Sequence, residues 1–231
     1  MIVIDAIENK DLELIASAIT SIDEKLLYAG SSGLAGYLTD YLDIKKMKKI
    51  NIIIAGSVSE VTFRQVEYLV EKSGIALIDV RVERLLNGER LKEKERIIDI
   101  IRKSSRKGED IVIRSAASKQ DVIKSVQEGE RYGMSRTYVS EFVASFLGEI
   151  AQFVIQEIKI NGIFITGGDT AIKAVNSLNI SGTIIKDEIL PGIPYSYFIE
   201  DRYKEITVVT KAGGFGKEDA IFQVLNFLNK R

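Results

Sequence analysis

A chain of 231 residues, 45% hydrophobic and 28% charged, carries enough apolar material for a sizeable core and is neither disordered nor fibrous. Its net charge of −1 gives no electrostatic footprint for nucleic acid. The sequence has no His and no Cys, which excludes a Ser-His-Asp triad, a thiolate nucleophile, a disulfide framework and most zinc sites. Proton transfer is left to Asp, Glu, Lys, Tyr or water, and phosphoryl transfer, which depends mainly on positioning and charge stabilisation, fits that inventory. No apolar segment reads as long enough to span a bilayer and the N-terminus has no signal-peptide plan, so a cytoplasmic protein with no membrane partner is expected.

In chain order, Met1–Ile4 reads as a short strand. Asn9 reads as the cap of a helix over 10–20, with Leu12, Ile15, Ala16 and Ile19 on one face. Leu26–Ala29 reads as a second strand, followed by the turn Gly30-Ser31-Ser32-Gly33 and a helix over 34–42. The basic run Lys45-Lys46-Met47-Lys48-Lys49 reads as a solvated loop. Ile50–Ala55 is a strand buried on both faces, Gly56-Ser57-Val58-Ser59 a turn, and 60–73 a helix stopped by Gly74.

Ile75–Asp79 is another strand. The charged segment 83–107, with Leu91, Ile97, Ile98 and Ile101 as its stripe, predicts one exposed amphipathic helix. A strand over 111–114 is closed by Ser115–Ser118, and 120–130 is weakly helical. The polar, glycine-punctuated stretch 127–133 reads as a mobile loop. A long helix covers 137–157, with Val139, Phe142, Val143, Phe146, Ile150 and Val154 toward the core. Asn161-Gly162 turns the chain into the strand Ile163–Thr166, then Gly167-Gly168-Asp169-Thr170 leads into a helix over 171–178. Strands over 182–189 and 206–210 flank Pro191-Gly192-Ile193-Pro194. The loop Lys211–Gly216 follows, and Asp219 opens a terminal helix ending near Lys230. The alternation predicts an α/β fold in one domain, 1–231: a largely parallel sheet with helices on both faces, Rossmann-like.

Four turns directly follow predicted strands, at 30–33, 56–59, 167–170 and 213–216, so a parallel sheet brings all four to its carboxyl edge, where open α/β folds bind ligands. Backbone N–H groups at helix N-termini favour an anion there, and phosphate is the commonest. Neither a Gly-Lys-Ser/Thr P-loop nor a G-x-G-x-x-G fingerprint is present. Ser57 and Thr170 are the expected hydroxyl donors, beside Gly167, Gly168, Gly213, Gly214 and Gly216. Asp169 reads either as a Mg²⁺ ligand or as a helix-capping residue. Lys211 reads either as an offset to phosphate charge or as a solvent-facing lysine. Phe215 reads as an anchor turned into the core or lying against a base.

These motifs, in this order, resemble the four-carbon acid sugar kinase family, specifically its C-terminal nucleotide-binding domain. The resemblance runs through Gly30–Ala35, Gly56–Ser59 with Gln65, Gly167–Thr170, Glu188 with Pro191–Pro194, and Lys211–Gly216. It implies ATP/ADP and Mg²⁺ as ligands, with Ser57, the 167–170 turn and Gly214 among the ATP contacts. Ala212 stands where the family usually has Ser. The Asp-Asp-x-Thr-Gly signature of the family's preceding sugar-acid domain does not occur, so the chain is expected to be the nucleotide half, inactive alone, needing a separate domain or partner chain for a threonate- or erythronate-like substrate. Other readings are a non-catalytic nucleotide sensor, or an α/β domain that binds a phosphorylated metabolite or coenzyme A. The oligomeric state is left open, a homo-oligomer included.

Overall fold

The computed structural model describes residues 2–22, 26–41, 49–178 and 180–231. Its contacts group the chain into two compact units, Met1–Met47 and Lys48–Arg231. The first unit holds α1 (Asn9–Thr20) and α2 (Ser32–Tyr41). Residues 2–6 and 26–31 form no strand, contrary to the sequence reading. Apolar residues make a strand only where a ladder partner is available, and Ile7 and Leu27 are 98% and 97% exposed. The turn at Gly30–Gly33 is therefore not a strand exit. Glu8, not Asn9, precedes the first turn of α1. Asp11 closes that end by accepting from the Ile7 and Glu8 amides at 2.9 and 3.0 Å, and these two donors hold its carboxyl below the usual range. Of the basic run at 45–49, only Lys49 lies within the described residues.

The second unit is a seven-stranded sheet. Its strands are β1 (Ile50–Ala55), β2 (Ala76–Asp79), β3 (Ile111–Arg114), β4 (Ile160–Thr166), β5 (Thr183–Leu190), β6 (Ile193–Phe198) and β7 (Thr207–Lys211), in the spatial order β2-β3-β1-β4-β7-β6-β5. The five strands from β2 to β7 run parallel, and β6 and β5 close the edge as an antiparallel hairpin. β6 was not anticipated. Its two-proline entry (Pro191, Pro194) masks a strand signal, and Pro194 is tolerated in the edge hairpin opposite Glu188.

The helices are α3 (Glu60–Ser73), α4 (Val82–Leu86), α5 (Arg90–Arg106), α6 (Lys119–Arg131), α7 (Arg136–Glu157), α8 (Gly168–Leu178) and α9 (Ala220–Leu228). Side chains alternate across the sheet, as the strand pleat requires. Ile52 and Ile54 of β1, Ile163 and Ile165 of β4 and Val208 of β7 join the core that α4, α5, α7 and α8 cover. Ile53, Phe164 and Val209 join the opposite core, under α3 and α9. The predicted α/β architecture with both faces covered is the one observed.

Three local readings change. The charged segment 83–107 is two helices, parted where Gly88 takes φ +90°, and Leu91 is 73% exposed instead of facing the core. The expected mobile loop at 127–133 is helical as far as Arg131. Gly129 is buried there because Val139 of α7 occupies the place a side chain would need. Asn161-Gly162 lies inside β4 and is not a turn before it. Gly162 leaves room for Leu228 of α9, which would meet an added Cβ at 2.5 Å.

α7, at 22 residues, does have the length and apolarity of a membrane-crossing helix, contrary to the sequence reading. Here it is the central helix of the core, with Phe146, Leu147, Ile150, Ala151 and Val154 wholly buried against the sheet.

Candidate functional site

β1, β4 and β7 are neighbours and parallel, so the turns that leave them meet at one edge of the sheet. The β1 and β4 turns pack backbone on backbone. Gly167 sits at φ +104°, and a Cβ there would lie 3.0 Å from the Ser57 nitrogen and 3.1 Å from the Gly56 carbonyl carbon. Only glycine satisfies both the dihedral and the approach. Gly56 reciprocates, since a Cβ on it would lie 2.9 Å from the Thr170 Cβ and closer still to its hydroxyl. The β7 loop closes on the β1 turn in the same way. The Ser59 hydroxyl donates to the Gly213 carbonyl at 2.6 Å while also capping α3 by accepting from the Thr62 amide at 3.2 Å.

A cavity of about 300 Å³ opens at this junction. Ser57, Gly167, Gly168, Asp169, Thr170 and Gly213 all line it. α8 begins at Gly168, and its first intrahelical acceptor, the Gly167 carbonyl, takes the Ala171 amide. The amides of Gly168, Asp169 and Thr170 are thus the orphan donors of a helix N-terminus, aimed at the cavity end of the helix. Asp169 is exposed in that first turn. Thr170 is 2% exposed, with its hydroxyl against Gly56, so it spaces the two turns more than it faces solvent. Beneath them the Thr166 hydroxyl is buried with no hydrogen-bond partner among the described residues.

Lys211, Gly214 and Gly216 do not line this cavity. Lys211 is not solvent-facing. It is 3% exposed, and its ammonium donates to the carbonyls of Ala212, Gly213 and Phe215 at 3.0, 3.0 and 3.1 Å. Burial lowers its pKa to about 8. Gly214 has open space around it and no positive φ, whereas Gly216 has φ +80° and packs near Gln65 and Ala220. Phe215 is 52% exposed and lies over Gly192, so it is not turned into the core. Gln65, wholly buried on α3, donates to the Phe215 and Lys217 carbonyls at 3.0 and 2.8 Å, and its own oxygen has no partner among the described residues.

The far wall of the cavity was not read from the sequence. Val122, Ser125 and Val126 of α6, Val139, Ser140 and Val143 of α7, and Ser115 and Ala116 after β3 form it. The usable signal was Ser118, which caps α6 by accepting from the Asp121 amide at 3.3 Å and brings that helix to the same sheet edge. A second cleft of about 550 Å³, along the ends of β2 and β3, shares Val82, Ser115, Ala116 and Ser125 with the first.

For a divalent ion the donor set is sparse. Among the described residues no group of three or more His, Cys, Asp or Glu side chains is placed to hold one. Mg²⁺ on a nucleotide commonly takes one or two protein carboxylates and otherwise phosphate and water. Asp169, the one carboxylate among the described residues lining the cavity, is compatible with that demand, whereas a dedicated protein-only metal site is not.

The profile of the nucleotide-binding C-terminal domain family matches residues 52–221, which contain all three turns. The chain belongs to this family. Its relatives include a D-threonate kinase of Salmonella typhimurium, 28% identical over 100% of this chain and 55% of that protein. A 3-oxo-tetronate kinase of Haemophilus influenzae is 29% identical over 94% of this chain and 51% of that protein. A D-erythronate kinase of Heliobacterium modesticaldum is 24% identical over 99% and 53%. These homologues are kinases of four-carbon sugar acids, and the chain spans about half of their length. The fold is shared with a solved Haemophilus influenzae protein (TM-score 0.62, 23% identity, 97% of this chain and 52% of that one). It is also shared with a domain of unknown function from Bordetella bronchiseptica, solved as a domain-swapped dimer with citrate (TM-score 0.61, 21% identity, 98% and 53%).

Proposed function

We propose that this chain is the ATP-binding half of a kinase that phosphorylates a four-carbon sugar acid of the threonate or erythronate type. The observation that carries the reading is the convergence of the β1, β4 and β7 turns on one cavity inside the family-matched region. The Gly168–Thr170 amides, the Ser57 hydroxyl and the β7 glycine loop would hold the terminal phosphates of the nucleotide. The apolar wall from α6 and α7 leaves room for the rest of it. When bound, Mg²⁺ supplies charge neutralisation, with Asp169 as its one carboxylate from this chain. The contribution of this chain to the reaction is binding, orientation and fixed dipoles, the mode of catalysis expected for phosphoryl transfer. The acceptor hydroxyl and its base come from a separate domain or partner chain.

Calorimetric titration with ADP and with Mg-ATP tests the nucleotide site. A kinase assay over tetronates, with and without a separately supplied N-terminal half from a homologue, tests the division of labour. Micromolar nucleotide binding and turnover only in the mixture are expected. Absence of nucleotide binding overturns the first claim, and robust turnover by this chain alone overturns the second.

A further inference from the structure

The ammonium of Lys211 is the centre of the β7 loop, and its surroundings are unusual for a buried cation. Three loop carbonyls surround it, from Ala212, Gly213 and Phe215. Two of these carbonyls are also held by α3 and its N-cap. Ser59 and Thr62 donate to the Gly213 carbonyl at 2.6 and 3.2 Å, and Gln65 donates to the Phe215 carbonyl at 3.0 Å. A trans peptide unit is planar, with C=O and N–H pointing in opposite directions. Turning the 212, 213 and 215 carbonyls inward therefore turns the next amides outward. Those amides belong to Gly213, Gly214 and Gly216. None of the three has a hydrogen-bond partner among the described residues, whereas the intervening Phe215 amide is spent on the Ala212 carbonyl at 3.2 Å.

Three unpaired amides in four residues, the first on cavity-lining Gly213, are candidate donors for an anion receptor. Glycine at each position leaves the N–H uncovered by a side chain. We infer that Lys211 is a positioning residue for this receptor: its buried ammonium holds the loop carbonyls inward so that the Gly213, Gly214 and Gly216 amides face a phosphate that Lys211 does not itself touch. This rests on the nucleotide reading above, but it reverses the role the sequence suggested for Lys211. The wholly buried Gln65, whose nitrogen serves two loop carbonyls while its oxygen has no partner among the described residues, points the same way.

The arrangement has a pH signature. Among the described residues no carboxylate forms an ion pair with the Lys211 nitrogen. Its neighbours are the loop carbonyls, and the groups facing the loop from α3 are Ser59, Thr62 and Gln65, which do not titrate in this range. Burial brings its pKa to about 8. Above that pH the neutral amine has two protons for three carbonyls and no charge to attract them, so the receptor loosens. Phosphate on a nucleotide is already fully ionised there, with its last pKa at about 6.

The test is ADP affinity of the wild type, Lys211→Met and Gln65→Met, measured by calorimetry across pH and salt, with amide NMR of ligand-free protein. Lys211→Met is expected to bind ADP at least about ten-fold more weakly. That loss should persist at about 0.5 M salt, because it acts through loop shape and not through screened charge. The wild-type affinity should fall through pH 8 while the variant stays flat. Gln65→Met should show a smaller loss with Lys211 intact. In the ligand-free wild type, the Gly213, Gly214 and Gly216 amide resonances should titrate together near pH 8. A folded Lys211→Met with wild-type affinity overturns the inference, as does a loss that vanishes at high salt, which would make Lys211 a direct phosphate contact. Should Lys211→Met fail to fold, the glycine amide titration of the wild type decides by itself, and its absence counts against the inference. Should the wild type not bind ADP, the nucleotide reading fails, and the same titration still decides whether Lys211 orders the loop.

Discussion

A Cβ placed on Gly213 would fall on the hydroxyl of Ser57, far inside van der Waals contact, so the β7 loop and the β1 turn share one small space. Gly213→Ala must therefore displace Ser57 or open the loop. A drop in melting temperature corresponding to about 1–3 kcal/mol is expected, together with loss of ADP affinity. Removing the hydroxyl relieves the clash: Ser57→Ala in the Gly213→Ala background should regain most of the stability but not the affinity. A double mutant as unstable as the single one would show that the crowding lies elsewhere. The design is a double-mutant cycle read on two observables.

Gly214 offers the converse case. It has no positive φ and nothing within 4 Å of an added Cβ, so Gly214→Ala should leave the melting temperature within about 0.5 kcal/mol of wild type. A phosphate seated on its amide would have no room for the methyl group. Titration with ADP and Mg²⁺ should then show a loss on the order of 2 kcal/mol. Unchanged affinity would place the phosphates elsewhere.

Asp169 separates the metal role from the helix role. Asp169→Asn removes one favourable charge at the N-terminus of α8, costing about 0.3–1 kcal/mol of stability. Without Mg²⁺ the variant should bind ADP at least as well as wild type, because a negative charge beside the phosphates is gone. With Mg²⁺ it should bind more weakly. Parallel titrations with and without the ion distinguish this from a purely structural cap, for which both values shift equally.

Lys211 makes folding and binding respond to pH in opposite directions. The unfolded chain keeps this proton to pH about 10.4, whereas the fold releases it near 8. Between those values the unfolded state binds more protons, so stability rises with pH; below 8 the cost of the buried ammonium is fully present. Relative to Lys211→Met, the wild type should gain up to about 3 kcal/mol between pH 8 and pH 10.4. Urea unfolding of both proteins at several pH values measures the difference. A flat difference would mean that the buried amine keeps its proton throughout.

Much of this was legible in the sequence where a single local pattern decides the outcome. Ile50–Ala55 could only be a doubly buried strand, and Gly74 at φ +63° ends α3 as its position implied. Gly56, Ser57 and the 167–170 turn were recognisable because strand, glycine and helix follow one another without a gap. What failed depended on partners distant in sequence. Among the described residues the N-terminal apolar runs pair with no strand. Lys211 reads as an offset to phosphate charge or as a solvent-facing lysine until three carbonyls close around it. The α6–α7 wall was obscured because Gly129, which suggests a loop locally, is required by Val139 ten residues later.

The alternation along β1 has a consequence for how this protein can change. Ile52 and Ile54 face one core, Ile53 faces the other, and Gly56 comes immediately after the strand. Its place beside Thr170 is therefore a count of residues from a buried register mark, with Ala55 opposite Thr166. Losing or gaining one residue inside the strand would exchange the two faces or drag Gly56 off Thr170. In evolution, substitutions within β1 are answerable to packing, but length changes there are answerable to the cavity. The strand acts as a ruler for a site in which none of its own side chains takes part.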